Sequence, residues 1–235
     1  MTQNLYIQEL QDLLTQIVDE STSTAERLAN QTSRICAQHH IDPKKGIKLS
    51  TAERHLLQQE IKSALHHSSY SQGMGFASYS PETHDEQDYW TLEWWYKKAE
   101  QLQQAQLENY QNAQRFLDFR SFEWFQQPAQ NNQPCIYGPY VDYICNGAYT
   151  ITVAHPVIVN AQFIGVIAID MLVSALEKLL IPKLKHIKQK AVIINDSARV
   201  ISSNDVSIRI GTLLKHKSRQ QQITRSNPSL QLIVL

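Results

Sequence analysis

The segment that most constrains the fold lies at residues 149–169, where apolar residues first alternate and then run together. Tyr149, Ile151 and Val153 alternate with polar or small residues, and a largely β-branched run follows at 163–169. This alternation has the period of a β-strand. The segment therefore predicts two or three adjacent strands that supply one face of a sheet.

A polar and aromatic element stands just upstream of these strands. Gly138 and Pro139 predict a turn, and Tyr140 and Asp142 follow it. Because side chains in an extended segment alternate with a period of two, Tyr140 and Asp142 are expected on the same side. One phenol and one carboxylate are therefore expected to point together.

Asp170 ends the last apolar strand, and two functions are open for it. A carboxylate at a strand end that faces a pocket is well placed to hold an ammonium or a hydroxyl group. Alternatively, Asp170 is the N-cap of a helix that begins at Met171. The two functions are compatible with each other.

Together these residues resemble the Cache family of PAS-like bacterial sensor domains, particularly the double-module kind that binds amino acids and amines. The resemblance covers about residues 117–214. In that family a Trp-Tyr/Phe pair precedes a Pro-Tyr-x-Asp element and a strand ending in Gly-Val-x-x-x-Asp. The corresponding residues here are Trp124 and Phe125, then Pro139, Tyr140 and Asp142, and finally Gly165 and Asp170.

The resemblance implies a ligand pocket. Amino-acid binders of the family carry an arginine two residues before the tryptophan, and this arginine clamps the ligand carboxylate. Phe122 stands at that position here, whereas Arg120 lies close by in the sequence. An acidic pocket lined by aromatic rings suits an amine, which it holds by charge and cation–π attraction. The implied pocket residues are Asp142 and Asp170 for the ammonium, Tyr140 for a hydrogen bond, and Trp124 and Phe125 for the aromatic wall.

A second aromatic cluster places three of the four tryptophans between Trp90 and Trp95, beside Glu93. One interpretation makes it a wall or lid over the ligand, with Trp94 in contact and Glu93 helping to hold a cation. The other makes it a strand and a helix start that pack on the sheet. Both remain open. The Gln-rich stretch at 101–115 is predicted as a solvated helix or an insertion.

Two helices are predicted before the first strand. Apolar residues recur at helical spacing from about residue 5 to residue 38 and indicate one long amphipathic helix. In Cache domains such a helix commonly forms a dimer seam, so the resemblance implies a homodimer; packing of the helix on its own domain is the alternative. Ser50 and Glu53 fit a capping box that opens a second helix through Ser63.

The C-terminal third predicts a smaller module. A helix from Met171 ends at Pro182, a hairpin forms around Asn195, and closing strands lie at 222–224 and 230–235. The expected fold class is α+β: a long N-terminal helix packed on a PAS-like antiparallel sheet, with an abbreviated second α/β module. The expected domains are the helix and its connection at 1–48, the ligand-binding Cache module at 49–180, and the second module at 181–235.

Composition excludes several function classes. With 235 residues, 42% of them hydrophobic, the chain can bury a real core. Its formal net charge of +0 gives no field that would attract nucleic acid or an anionic membrane. Residues 1–20 are polar, without the core of a signal peptide or a membrane-spanning run, so a cytoplasmic location is expected.

The cysteines fit a reducing compartment, because an odd number without a spacing framework does not build a disulfide scaffold. The three are Cys36, Cys135 and Cys145. Cys36 lies near His39 and His40, but no further ligands follow at a recognisable spacing. Neither a metal nor another cofactor is expected.

The function expected from these observations is a sensor domain that recognises a small amine or amino-acid-like metabolite. It would signal through a partner protein or through its dimer. A structural or dimerisation subunit of a regulatory complex is one alternative. A carboxylate-dependent enzyme using Glu123, Asp142 and Asp170 is a weaker one, since no nucleophile elbow, phosphate-binding glycine loop or zinc motif is present, so catalysis is not expected.

Overall fold

A computed structural model describes residues 3–38, 47, 49–78, 92–99, 101–105, 119–143, 147–214, 222–223 and 229–235. The helices are α1 (Gln3–Ile35), α2 (Thr51–His67), α3 (Glu123–Asn131) and α4 (Val173–Leu184), with a short 3-10 helix at Phe119–Ser121. The first six strands are β1 (Gly73–Ser78), β2 (Leu92–Lys98), β3 (Gln101–Gln104), β4 (Cys135–Asp142), β5 (Ala148–Val159) and β6 (Gln162–Leu172). The last four are β7 (Ala191–Asn195), β8 (Val200–Ser203), β9 (Gln222–Ile223) and β10 (Leu230–Val234).

The larger sheet has six strands in the order β3-β2-β1-β6-β5-β4. β1 pairs antiparallel with β2 on one side and with β6 on the other. The apolar run that predicted strands forms β5 and β6, most of whose side chains are buried. Together with the long helix α1, this antiparallel sheet confirms the predicted α+β fold.

The smaller sheet has four strands in the order β8-β7-β10-β9. The predicted hairpin around Asn195 is confirmed, because β7 and β8 pair antiparallel on either side of it. Val192, Ile194, Val200 and Ile233 form a buried apolar cluster on this sheet. The short closing strands predicted near the C-terminus are also present, as β9 and β10.

The chain folds as two compact units. The terminal unit contains Met1–Glu20, Gly138–Ile151 and Met171–Leu235, and the central unit contains Ser21–Tyr137 and Thr152–Asp170. In the terminal unit the first turns of α1 meet the end of α4: the rings of Tyr6 and His186 stack 4.2 Å apart between centroids. In the central unit α2 packs on β1 and β2. The three-domain division predicted from the sequence stays a prediction.

Three local predictions are wrong. Gln101–Gln104 is an edge strand whose backbone pairs with β2, so the helix predicted as one alternative for residues 101–115 is wrong there; residues 106–115 lie outside the described part of the chain. Pro182 does not end α4, which continues to Leu184. Gly138 and Pro139 do not form a turn but lie inside β4. Gly138 has a φ of 123°, a backbone conformation that glycine adopts readily, and the strand continues through it.

The N-terminus of α2 carries the capping box that the sequence predicts. The backbone N–H of Ser50 donates to the Glu53 carboxylate over 2.8 Å, and the Glu53 N–H donates to the Ser50 hydroxyl. Two donors at the helix start, which have no partner inside the helix, are satisfied in this way. The helix runs to His67, four residues beyond the predicted end.

Replacing the cap should weaken the fold without disrupting it. We expect Ser50→Ala to lower the free energy of unfolding by about 1 kcal/mol, because the N–H of Glu53 loses its acceptor. Urea denaturation at neutral pH measures this. Thr51→Ala, at the exposed next position, is the matched control and should change stability by less than about 0.5 kcal/mol. Equal stability of the two variants would contradict the capping role.

Candidate functional site

The register of the larger sheet decides which predicted residues share a face. Trp94 pairs with Gly75, which pairs with Ala168 on β6. Two positions along β1, Gly73 pairs with Asp170. Directly paired residues lie on the same face, and residues two apart along a strand do so as well. Trp94 and Asp170 therefore lie on one face of the sheet, which we call the acidic face.

The indole of Trp94 lies across β1 on the acidic face. A Cβ atom added to Gly75 would lie 2.8 Å from Trp94 Cε3, and one added to Gly73 would lie 3.0 Å from Trp94 Cζ2. These separations are too short for a side chain, so glycine at both positions makes room for the ring. The indole thus extends over Gly73, the residue that pairs with Asp170.

The Asp170 carboxylate is held in place by its neighbours. Asp170 is buried, with 5% of its surface exposed, and the Thr152 hydroxyl donates to its Oδ1 over 2.7 Å. Thr152 lies on β5 and is itself buried. The backbone carbonyl of Asp170 accepts a bond from the N–H of Gln72 over 2.7 Å. A carboxylate fixed in this way presents a localised acceptor to a cation or a hydroxyl group.

The alternative function of Asp170 as a helix N-cap is wrong. β6 continues through Leu172, and Leu172 is the residue at the N-cap of α4. Asp170 therefore lies inside a strand, two residues before the cap. Its side chain projects from the sheet, where it bonds to Thr152.

Glu93 lies on the opposite face from Asp170, because it is adjacent to Trp94 in β2. Its fully buried carboxylate forms an ion pair with Arg54 and accepts hydrogen bonds from Gln58 over 2.9 Å and from Gln104 over 3.3 Å. Arg54 and Gln58 belong to α2. Such a set of partners is what a buried carboxylate needs in order to be tolerated. The structure thus gives Glu93 a role in joining α2 to the sheet.

The other aromatic residues that the resemblance implied lie on α3. Phe125 is buried, and its ring centroid lies 6.0 Å from that of Trp124 and 5.9 Å from that of Phe163. Phe163 is at the start of β6, seven residues before Asp170. At about 3.3 Å per residue this is roughly 23 Å along the strand. Phe125 therefore packs near the far end of β6 from Asp170, in the core beneath α3.

The remaining predicted residues are spread over both units. Arg120 is half-buried in the 3-10 helix of the central unit. Tyr140 and Asp142 lie on β4 in the terminal unit, half-buried and buried respectively. Two residues apart on one strand, they share a side, as the sequence predicted. Trp90 lies outside the described residues.

Several residues of the acidic face were not predicted from the sequence. Thr152 alternates with apolar neighbours like any other strand residue, so nothing in its pattern marks it as a partner of Asp170. Gly73 and Gly75 carry a clearer signal, because glycines two apart in a strand indicate a close approach on one face. The sequence does not show which residue approaches these glycines, however, until the strand pairing is known.

The cysteines and histidines give no metal site in the described part of the chain, where no cluster of three or more potential ligands occurs. Burial, together with the negative charge of Glu53, raises the pKa of the Cys36 thiol to about 12. Its sulfur therefore keeps its proton at neutral pH, whereas zinc binds the thiolate. His39, His40 and Cys145 lie outside the described residues.

The sequence model of the family described as methyl-accepting chemotaxis protein-like, first PDC sensor domain, matches residues 57–178. This match spans more than half of the chain and includes the whole acidic face. The chain belongs to this family. The predicted class of ligand-binding sensor domain is thereby confirmed. The finer assignment to the amine or amino-acid binders stays a prediction.

Several solved structures share the fold of this chain. A structure named methyl-accepting chemotaxis protein X matches with a TM-score of 0.64 and 16% identity, covering 91% of this chain and 76% of the other. The ligand-binding domain of the Pseudomonas aeruginosa PAO1 amino acid chemoreceptor PctC, in complex with GABA, matches with a TM-score of 0.60 and 14% identity, over 97% of both chains. The periplasmic sensory domain of the Campylobacter jejuni chemoreceptor Tlp1 matches with a TM-score of 0.58 and 14% identity, over 90% and 72%.

No curated protein sequence matches this PDC sensor domain. Within the described residues, no helix has both the length and the apolar character needed to cross a membrane. The cytoplasmic location expected from residues 1–20 stays a prediction; Tlp1, by contrast, is a periplasmic domain.

Removing the charge of Glu93 should destabilise this PDC sensor domain. We expect Glu93→Gln to lower the free energy of unfolding by about 2 kcal/mol, because the fully buried carboxylate that pairs with Arg54 loses its charge. Glu26→Gln is the control: Glu26 is exposed on α1, and its replacement should change stability by less than about 0.5 kcal/mol. Chemical denaturation measures both, and an unchanged midpoint for Glu93→Gln would refute the joining role.

Proposed function

We propose that this PDC sensor domain binds a small amine or amino-acid-like metabolite, with its ammonium group held at the acidic face. The observation that carries the proposal is the position of the Asp170 carboxylate, fixed by Thr152, beside the indole of Trp94 that lies over Gly73. The family supplies the general role of a ligand sensor. The residues of the acidic face supply the preference for a cation.

Charge and aromatic surface act together on an ammonium ion. A buried carboxylate attracts a cation more strongly than an exposed one does, because the surrounding dielectric is lower. An indole face adds about 0.5–2 kcal/mol of cation–π attraction, and more when the site is dry. The same pair disfavours an anion, since a second negative charge beside Asp170 would be repelled. A simple carboxylate is therefore a poor ligand in this proposal.

Further ligand contacts in the proposal come from the family resemblance. In the terminal unit, Asp142 and Tyr140 are the acidic and hydrogen-bonding candidates that the resemblance implies, and in the central unit Trp124 is the candidate for an aromatic wall. Phe125 would support Trp124 from the core rather than touch the ligand, as its contact with Phe163 suggests. Glu93 is not included, because Arg54, Gln58 and Gln104 already occupy its carboxylate.

The choice between an amine and an amino acid depends on Arg120. GABA, the compound bound to PctC, carries a carboxylate as well as an ammonium group. If this chain binds a compound of that kind, a cation must balance the carboxylate, and Arg120 is the candidate that the sequence offers near Trp124. An amine without a carboxylate would not need this arginine.

We further propose that the signal leaves through a partner protein or a second copy of the chain. This chain belongs to a family of sensor domains like those of methyl-accepting chemotaxis proteins. Such proteins respond to a ligand by transmitting a signal. Helix α1, with 33 residues, is long enough to form the interface of a homodimer. Measurement of solution mass with and without ligand tests the dimer.

The acidic face predicts which compounds stabilise the protein. In a thermal-shift screen of amino acids, GABA, biogenic amines, polyamines and small carboxylates, we expect cationic or zwitterionic compounds to raise the Tm. A ligand at about 100 times its Kd should raise the Tm by roughly 5–10 °C. Asp170→Asn should weaken binding of the best compound by about 10- to 100-fold, because the ammonium loses its counter-charge while Thr152 keeps an acceptor.

Asp196→Asn, on the exposed turn of the β7–β8 hairpin, is the matched control and should leave binding unchanged. Stabilisation by simple carboxylates alone would overturn the cation preference. Full binding by Asp170→Asn would remove Asp170 from the site.

The role of Arg120 has its own test. If Arg120 binds a ligand carboxylate, Arg120→Gln should weaken the binding of amino acids and GABA by about tenfold or more and leave simple amines unaffected. Titration calorimetry with a matched pair, such as GABA and butylamine, measures the difference. An equal effect on both compounds would show that Arg120 acts on the fold rather than on the carboxylate.

A further inference from the structure

Asn195 joins two segments of the terminal unit through both ends of its side-chain amide. Its Nδ2 donates to the backbone carbonyl of Gly138 over 2.6 Å, and its Oδ1 accepts from the backbone N–H of Arg199 over 2.7 Å. Gly138 lies on β4, the outermost strand of the six-stranded sheet, and Asn195 ends β7 of the smaller sheet. The bond to Gly138 is buried. The side chain therefore connects the β7–β8 hairpin to β4.

The hairpin turn fixes the Asn195 side chain. The N–H of Asn195 donates to the carbonyl of Arg199, and the N–H of Ala198 donates to the carbonyl of Asn195, both over 3.0 Å. Arg199 in turn donates from Nη1 to the carbonyl of Gly211 over 2.6 Å. Because backbone bonds on both sides hold the turn, a change in the hairpin changes where the Asn195 amide points.

Gly138, which accepts this bond, is also packed closely against β5, so β4 cannot shift at this position without β5. A Cβ atom at Gly138 would lie 2.6 Å from the carbonyl oxygen of Thr150 and 3.0 Å from the Cα of Ile151, both on β5. Its φ of 123° is a conformation that other residues rarely adopt. β4 therefore lies in close contact with β5 at Gly138, and the carbonyl of the same residue accepts the hydrogen bond from Asn195.

We propose that Asn195 is a positioning residue for ligand binding, because it ties β4, the strand that carries Tyr140 and Asp142, to the β7–β8 hairpin. Tyr140 and Asp142 follow Gly138 by two and four residues on the same strand. An edge strand has unpaired backbone groups along its outer side, and here one of them is satisfied by a side chain from the hairpin. This inference rests on the proposed function only for the ligand contacts of Tyr140 and Asp142.

The link also gives ligand binding a way to act on the second sheet. If the hairpin sets the position of β4 and thereby the ligand affinity, ligand binding must bias the hairpin by the same free energy. The Gly138–Asn195 bond is then one point at which occupancy of the site is passed to the C-terminal part of the chain.

The chain offers a matched pair of substitutions to test the link. Asn195→Asp keeps the acceptor for the N–H of Arg199 and loses the donor to Gly138. Asn204→Asp makes the same chemical change in the same unit: Asn204 keeps its acceptor for the N–H of Ala191 and loses donor bonds to three carbonyls that are not on β4. Asn204→Asp therefore controls for destabilisation of the second sheet.

Hydrogen exchange of the ligand-free protein gives the first readout. We expect Asn195→Asp to raise exchange about tenfold in the peptide covering residues 138–143, because a buried carbonyl loses its donor. Asn204→Asp should instead raise exchange around residues 184–191 and leave 138–143 as in the parent. Asn195→Ala, which adds no charge, gives the same readout at 138–143 if the aspartate variant does not fold.

Titration calorimetry with the strongest compound from the panel of amino acids, GABA and amines gives the second readout. The Asn195 variants should raise Kd about tenfold, and Asn204→Asp should leave it within about twofold. If no panel compound binds the parent, the proposed function fails while the exchange data still decide the link. Unchanged exchange at 138–143 in both Asn195 variants, or an equal rise in Asn204→Asp, would overturn the positioning role.

Discussion

The position of β1 between β2 and β6 is the constraint on which the rest of the site depends. Its antiparallel register places Trp94 and Asp170 on one face and Glu93 on the other. A slip of one residue would exchange the two faces and bring Glu93 to the acidic face without its partners from α2. The approach of Trp94 to Gly73 and Gly75 opposes such a slip, since any other residue would collide with the indole.

Glu93 and Asp170, two of the buried carboxylates of this sheet, lie on opposite faces and have different partners. Glu93 has a full counter-charge in Arg54 and two amide donors, so its charge serves the packing of α2. On the other face, the Thr152 hydroxyl donates to the Asp170 carboxylate and orients it. Because partners from α2 and β3 occupy the Glu93 carboxylate, the ammonium is proposed at Asp170 and not at Glu93.

In the terminal unit, contacts at Gly138 connect β4 to β5 and to the β7–β8 hairpin. Gly138 lies too close to β5 to carry a side chain, and its carbonyl accepts the hydrogen bond from Asn195. A strand held at one such point moves together with what holds it, because protein interiors are close-packed and resist continuous deformation. A sensor needs its binding strand to be connected to another element, and the amide of Asn195 provides a connection of this kind.

The sequence by itself determined the elements with strong local signals: the long helix α1, the capping box at Ser50 and Glu53, the strands β5 and β6, and the hairpin around Asn195. It also determined that Tyr140 and Asp142 share one side, since a period of two needs no tertiary information. Tertiary structure alone decided that Gln101–Gln104 is a strand, because a short polar segment takes its conformation from the edge it pairs with. It also decided the partners of Asp170 and Glu93, since these depend on a register formed by residues far apart in the chain.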